Sequence, residues 1–442
     1  MRDLLVTLIV LGSLPFILRW PRIGIMMYIW VSVMNPHRLS FGFAYDVRWA
    51  LIIIVVTLIG LLFTRDLKWP PMTALNMALI AFFAWTGVTT VFAVNFDQSL
   101  VMWERLMKTA IVALLIPAMF RTREQLRQLI WVIVLSVAYF GVKGGLWVLL
   151  TGGENRVYGP PGSYIEDNNY LAMALVMLIP IIRFLQVSEP RRNVRWACTA
   201  IMVLCGISVL GSYSRGALLG VMAMGILWWW KGKNKLAILL AAAILIPPIV
   251  SFMPEKWHER MDTINTYQED SSANNRLNSW ATMFNIAKAS PFVGAGFEAS
   301  TTELYERYSP DPTFGTQAAH SIYFQALGEH GFVGLTLYLL LYFAYWRQAR
   351  ALIRATSQRP DLAWVQDFAR MTQVMIIGYL VGAAFLSLVN YDVPYYLIGV
   401  MVAIKALVDR ELKVVPVEPM TSESPAYADG VARATVPRSG SS

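Results

Sequence analysis

Tyr170-Leu171-Ala172-Met173-Ala174-Leu175-Val176-Met177-Leu178-Ile179-Pro180-Ile181-Ile182-Arg183-Phe184-Leu185-Gln186-Val187 is the stretch on which the fold turns. Its one charge, Arg183, stands near its C-terminal end, and polar clusters bracket it, Asp167-Asn168-Asn169 before and Arg191/Arg192/Arg195 after. At 1.5 Å per residue a helix of this length rises roughly 27 Å, close to the ~30 Å hydrocarbon thickness of a bilayer. The pattern recurs. Apolar runs lie at 3–18, 22–34, 49–63, 73–93, 107–120, 128–150, 170–187, 196–210, 216–230, 236–253, 320–346, 371–389 and 394–408. The first two are short, so about 12 crossings (12 or 13) are expected.

Composition agrees. Of the 442 residues, 56% are hydrophobic and 15% charged, and the mean hydropathy is +0.50. Soluble domains carry roughly 25% charged residues. An ordinary soluble enzyme is excluded, and an all-α polytopic membrane protein is predicted. Met1-Arg2-Asp3 leads into apolar sequence without a small-residue cleavage site, so the first span is expected to act as the insertion signal. Cys198 and Cys205 share one apolar run. About 10 Å separates them along a helix, too far for a disulfide, so both read as small core residues.

Lys and Arg in short loops mark the cytoplasmic side. Arg121/Arg123/Arg127, Arg183/Arg191/Arg192/Arg195, Lys231/Lys233/Lys235 and Arg347/Arg350/Arg354/Arg359/Arg370 fall on every second loop, and Arg410 and Lys413 place the C-terminus with them. Loops 94–106, 151–169, 211–215, 254–319 and 389–393 are then expected to face outward. The chain reads as an N-terminal transmembrane region (1–120), a transmembrane core (121–413) carrying the large loop 254–319, and a disordered cytoplasmic tail (414–442) rich in Pro, Ser, Ala and Thr. Within the large loop, Leu277, Trp280, Phe284 and Ala287 recur at helical spacing. They predict an amphipathic helix over 274–289 on the membrane surface. Pro291 ends it, and Gly294 and Gly296 allow a tight return.

Outward-facing arginines run against the usual charge bias, so each needs a reason. Arg156 sits in Gly152-Gly153-Glu154-Asn155-Arg156-Val157-Tyr158-Gly159, Arg215 in Gly211-Ser212-Tyr213-Ser214-Arg215-Gly216, and Arg276 in Asn274-Asn275-Arg276-Leu277. The two runs flanking Arg215 reach only roughly 22 Å each, short of the ~30 Å core, which places Arg215 below the interface. A charge at that depth usually lines a water-filled or substrate cavity. The competing reading is snorkelling to lipid phosphates. His320 lies where the large loop re-enters the membrane, and a neutral imidazole there can accept a proton from a hydroxyl. Glu329 follows about 13 Å deeper along the helix. It is expected to pair with a buried partner or to pack against Gly331 and Gly334, where helices approach closely, and His330 reads as structural. Three arginines and one histidine on one face point to a phosphate-bearing anion handled by a base.

Three blocks resemble the O-antigen ligase and polymerase superfamily of membrane glycosyltransferases. They are Ser212-Tyr213-Ser214-Arg215-Gly216-Ala217-Leu218; Arg276-Leu277-Asn278-Ser279-Trp280 with Pro291-Phe292-Val293-Gly294-Ala295-Gly296; and His320-Ser321-Ile322-Tyr323-Phe324-Gln325 with Glu329-His330-Gly331-Phe332-Val333-Gly334. A fourth, weaker block is Arg156-Val157-Tyr158-Gly159 with Asp167-Asn168-Asn169-Tyr170-Leu171-Ala172. Near the N-terminus, Arg19-Trp20-Pro21 through Asn35-Pro36-His37-Arg38-Leu39 is similar to the O-glycosylation ligase subgroup associated with exosortase systems. Ser321 departs from the commonest pattern, in which Asn often follows the histidine; either side chain can hydrogen-bond.

The resemblance implies a GT-C-like architecture in the bacterial inner (cytoplasmic) membrane with its active site facing the periplasm. It implies a metal-independent, inverting transferase that needs no cofactor and binds no nucleic acid. The donor would be a glycan on undecaprenyl pyrophosphate, and the acceptor a hydroxyl of a lipid, protein or polysaccharide, as in lipopolysaccharide, exopolysaccharide or O-glycosylation pathways. In this reading Arg215 and Arg276 hold the pyrophosphate, Arg156 is a weaker third, and His320 is the catalytic base. Ser214, Asn169, Tyr323 and Glu329 support them. The nearest rival is a polymerase that uses the same donor. A transporter of the lipid-linked glycan, the other rival, would spread charge through the depth of several spans.

Overall fold

The computed structural model describes residues 1–64, 67–232, 234–262 and 271–414, and among these every regular element is a helix. Helices α1 (Arg2–Arg19) and α2 (Pro21–Ile29) fold back on each other at Trp20, and α3 (Trp49–Phe63) packs against both. The Asp3 carboxylate closes this unit by accepting the N–H groups of Gly42 at 3.0 Å and Ala44 at 3.2 Å. There follow α4 (Ala74–Val91), α5 (Phe96–Met119), α6 (Arg123–Thr151), α7 (Asn168–Ser188), α8 (Arg192–Leu210), α9 (Arg215–Lys231) and α10 (Lys235–Phe252). Polar caps set several starts. Thr73, Asn95, Thr122, Asp167 and Ser214 each accept a first-turn N–H, and Thr122 forms a reciprocal capping box with Gln125. Three helices interrupt the bundle, α11 (Glu255–Asp262), α12 (Ser271–Ala289) and α13 (Thr302–Tyr308), before α14 (Ile322–Ala355), α15 (Ala363–Gly382) and α16 (Asp392–Val414) complete it.

The chain is an all-α membrane protein. Among the described residues, six helical stretches are long and apolar enough to cross a bilayer: Ala74–Val91, Arg123–Thr151, Asn168–Ser188, Arg192–Leu210, Ile322–Ala355 and Pro360–Phe385. Pro21–Met34 and Trp49–Phe63 are shorter apolar helices. Two expectations change. Residues 94–106 do not form a loop, because Asn95 caps α5 and Asp97 in its first turn favours the helix start, so Glu104 and Arg105 ride on a helix. Helix α12 covers the predicted 274–289 and exposes Leu277 and Phe284 of the predicted stripe, but turns Ala287 of that stripe inward with Asn278, Ser279, Thr282, Met283 and Ile286. Hydroxyls on that inner face bond within their own helix, Ser279 to the Asn275 carbonyl and Thr282 to the Asn278 carbonyl, so they bury without an orphaned polar atom. Lys233 and the tail 415–442 lie outside the described residues.

Loops sort by end. At one end the α4–α5 turn bonds to the large loop, Val94 N–H to Ala295 O at 2.9 Å and Ser99 Oγ to Phe297 O at 3.0 Å. The 152–167 loop joins the α8–α9 turn there, through Val157 N–H to Gly211 O at 3.1 Å and Tyr213 OH to Gly153 O at 2.7 Å. His320 N–H reaches Ser387 Oγ, between α15 and α16, at 2.9 Å. At the opposite end the basic loops meet: Arg127 and Arg191 pair with the buried Glu189, and Arg410 donates to Arg121 O at 2.9 Å.

Two backbone features carry the loop end. Helix α9 lies close on α15 because Gly216 and Gly220 face Gly382 and Gly378; a Cβ on Gly220 would stand 2.9 Å from Gly378 O. Helix α14 is broken at Gly331, whose φ is 69°. Such a break frees carbonyls that must find donors. Ala295 N–H and Gly296 N–H reach Gly328 O and Glu329 O at 2.9 Å each, Trp85 Nε1 reaches His330 O at 3.1 Å, and Phe332 N–H reaches Pro291 O at 2.8 Å. The Pro291–Gly296 turn is therefore the partner of the broken helix. The two blocks brace each other through these bonds.

Candidate functional site

Ser214 caps α9 by accepting Ala217 N–H at 3.3 Å, so Arg215 is the first helical residue. A cation is disfavoured beside the positive end of a helix dipole unless an anion joins it. Arg215 is half-buried, surrounded by buried Ser212, Tyr213, Ser214, Gly216 and Ala217. Tyr213 is held left-handed, at φ 61°, and its hydroxyl is spent on Gly153 O, which fixes the turn. Asn168 Nδ2 adds a bond to Ser212 O at 2.6 Å, so the start of α7 and the start of α9 are tied together.

These constraints build one recess. Arg215, Arg260 of α11 and Arg276 of α12 line it with Asn169, Tyr213, Phe385 and Leu386. Its open space is only about 10 Å³, because the side chains fill it. Tyr213 and Arg260 continue into a neighbouring pocket of about 360 Å³, whose other walls are Glu154, Arg156, Lys256 and Glu259. Arg156 thus stands apart from the other two predicted arginines. Its guanidinium lies 5.6 Å from the Tyr213 ring centroid, at a mouth that also carries acids.

His320 flanks the recess. It precedes α14, is held left-handed at φ 45°, and hangs from Ser387, the residue after the recess wall Phe385–Leu386. Burial pushes its imidazole below the ordinary value of 6.5, the nearby Arg276 adds to that, and Asp167 opposes it. The ring is therefore neutral near pH 7 and able to accept a proton. Asp167 is itself occupied, capping α7 through Asn169 N–H at 2.8 Å and holding Asn169 Nδ2 at 3.0 Å.

The supporting residues separate. Asn169 and Ser214 belong to the recess. Tyr323 donates to Leu380 O at 2.8 Å and braces α14 on α15. Glu329 is buried below the site, 3.3–3.4 Å from Gln325 Nε2, while Gln325 Oε1 accepts Val389 N–H at 3.2 Å. Through Gln325 it props the 386–391 segment that presents Ser387 to His320. His330 is fully buried, with Nδ1 2.8 Å from Thr89 Oγ1 and its ring edge-on to Phe82 and Phe297, which is a packing role. Arg260, Tyr213, Phe385, Leu386 and Ser387 escaped the sequence reading. Arg260 sits among Lys256 and Glu259 in an ordinary-looking charged helix, and the signal that would have singled it out is its place in the recess.

Comparison with known proteins supplies the context for this geometry. Residues 1–189 match a family of unknown function (DUF5935), and no curated protein matches the chain. Residues 200–339 match the family described as O-Antigen ligase, a span holding Arg215, Arg260, Arg276, His320 and Glu329. Asn169 and the Phe385–Ser387 wall complete the site from outside that span. Residues 200–339 are thus similar to an O-antigen ligase domain, which supports a place for the chain in the O-antigen ligase superfamily.

Proposed function

We propose that the protein transfers a glycan from undecaprenyl pyrophosphate to an acceptor hydroxyl of a lipid or protein, on the periplasmic side of the bacterial inner membrane. One observation carries this reading: Arg215, Arg260 and Arg276 converge, with Asn169 and Tyr213, on one recess at the start of α9. Guanidinium forks bind phosphate oxygens in pairs of charge-assisted bonds, and the start of a helix adds N–H donors and a favourable dipole. The donor pyrophosphate enters by displacing the arginine side chains outward around itself. Its glycan extends into the adjoining pocket, where Arg156, Glu154 and Lys256 meet sugar hydroxyls.

Chemistry follows as a single displacement. The acceptor oxygen attacks the anomeric carbon from the face opposite the pyrophosphate, a new C–O bond forms, and the bond to the pyrophosphate oxygen breaks with inversion. The proton of the acceptor hydroxyl passes to His320, and the bond electrons leave with the pyrophosphate, whose developing charge the arginines stabilise. This step needs no metal. Asn169 and Ser214 shape the recess, while Tyr323 and Glu329 act by positioning the His320 segment.

The test is incubation of purified protein with a polyprenyl-pyrophosphate glycan and a panel of lipid, protein and polysaccharide acceptors. Glycosylated lipid or protein, with a β product from an α-linked donor or the reverse, supports the reading. Elongation of the donor's own glycan identifies a polymerase instead, which shares the donor site. Movement of intact donor across vesicles without any new glycosidic bond overturns transferase chemistry.

A further inference from the structure

We propose that a second site, at the basic end of the bundle, binds an anionic diacyl phospholipid. A groove of about 970 Å³ opens there between the start of α4, the C-terminal half of α14 and α16. That volume lies at the top of the roughly 300–1,000 Å³ range of small-molecule pockets. Leu75, Ala78, Leu340, Phe343 and Ala344 give it an apolar floor, and Arg347, Arg350, Arg354 and Lys405 form its rim. The site lies outside residues 200–339, at the end of α14 remote from His320.

Charge at this end serves topology in any membrane protein, but topology does not require the arginines to line one cavity. Arg347, Arg350 and Arg354 are spaced by three and four residues, which puts them on one face of α14. Elsewhere at this end arginines have acids beside them: Arg127 and Arg191 with Glu189, and Arg359 with Asp361. Lys405 on the rim likewise holds Asp409, but among the described residues no such pair involves Arg347, Arg350 or Arg354, and no carboxylate is among the groove's described lining. Lys231 crowds the same corner from α9, its ammonium 5.0 Å from the ring centroid of the groove residue Trp346. Like charges gathered at a low-dielectric wall repel unless an anion joins them. A phosphate on the rim meets that need, and two acyl chains meet the need of the apolar floor. A soluble phosphate satisfies only the first.

Native mass spectrometry of delipidated protein in detergent tests this, with phosphatidylglycerol and phosphatidylcholine of identical chains as probes and glycerophosphate as the chain-free probe. Each basic residue near an anionic surface strengthens binding about 5-fold. Wild type is expected to bind phosphatidylglycerol at least 10-fold more tightly than phosphatidylcholine, and to ignore glycerophosphate at the same concentration. The triple variant Arg347→Gln/Arg350→Gln/Arg354→Gln should lose that preference. A charge-matched triple variant at exposed Arg183, Arg192 and Arg195 should keep it. Ala78→Trp, which fills the floor and leaves every charge in place, should weaken binding of both lipids and guards against misfolding of the arginine triple variant. Equal binding of the two lipids by wild type, an undiminished preference in the triple variant, or displacement of lipid by glycerophosphate overturns the proposal.

Discussion

Replacing Arg215 by lysine keeps the charge at the head of α9 and removes only the fork. Because Arg215 is half-buried in a recess shared with Arg260 and Arg276, the two guanidiniums left behind still hold part of the anion, and activity falls without vanishing. Losing a charge-assisted bond costs about 1.5–3 kcal/mol, or about 10- to 150-fold in transfer rate when the bond acts in the transition state. Arg215→Lys is expected at the lower end of that range, since a point charge at the same helix start keeps most of the attraction. Arg215→Ala is expected at the upper end. If Arg215 and Arg276 grip one pyrophosphate, their losses are coupled, and the double alanine variant should depart from the product of the single effects by about 0.5–3 kcal/mol. The assay is glycan transfer normalised to membrane-inserted protein. Full activity in Arg215→Lys would refute bidentate binding, because an arginine that merely snorkels is replaced well by lysine. Full activity in Arg215→Ala would remove the residue from the site, and strict additivity with Arg276→Ala would separate the two arginines.

Other consequences are equally direct. His320→Ala should lower transfer by roughly 10²–10⁴-fold with normal accumulation, whereas His330→Ala should act on thermal stability, through lost contacts with Thr89 and Phe297, before it acts on rate; the reverse pattern would mean that the base has been misassigned. The neutral imidazole is the working form, so the rate should fall as pH drops through a His320 pKa that lies below 6.5, and Arg276→Gln, by removing a positive neighbour, should move that acid limb to higher pH; an unmoved limb in the residual activity argues against the contact. Gly294→Ala places a side chain at φ 66° with its Cβ 2.5 Å from Gly328 O, and should destabilise the loop's dock on the broken helix by more than about 1–2 kcal/mol, read as a lower melting temperature. Reporter fusions after residues 270 and 412 should report opposite sides, periplasmic and cytoplasmic, and cytoplasmic activity at residue 270 would invert the topology and the site with it.

Much was legible before any coordinates. Hydropathy is a local property of the chain, and the apolar runs lie on helices apart from the end of 371–389, which leaves α15 after Gly382, because a backbone in hydrocarbon must satisfy its own hydrogen bonds. Arg215, Arg276 and His320 were legible as charges and a base in places where the membrane makes them costly. The start of α5 was less so, since hydropathy locates the apolar middle of a helix and says little about a polar first turn built on Asn95 and Asp97.

What only the tertiary structure decided is who meets whom. Arg260 joins the recess and Arg156 moves to a mixed-charge mouth, although nothing local distinguishes one loop arginine from another. The Pro291–Gly296 and Glu329–Gly334 blocks prove to be two halves of one hydrogen-bonded brace, and the face that α12 buries is the one that fits α14 rather than the one richest in apolar residues. The cations of Arg347, Arg350, Arg354 and Lys405 line a single groove only because α14 packs beside α4 and α16. Sequence determines which residues water and lipid each tolerate. Distance between side chains far apart in the chain is set by how helices pack, and that depends on close-fitting contacts such as Gly220 against Gly378, which no local pattern encodes.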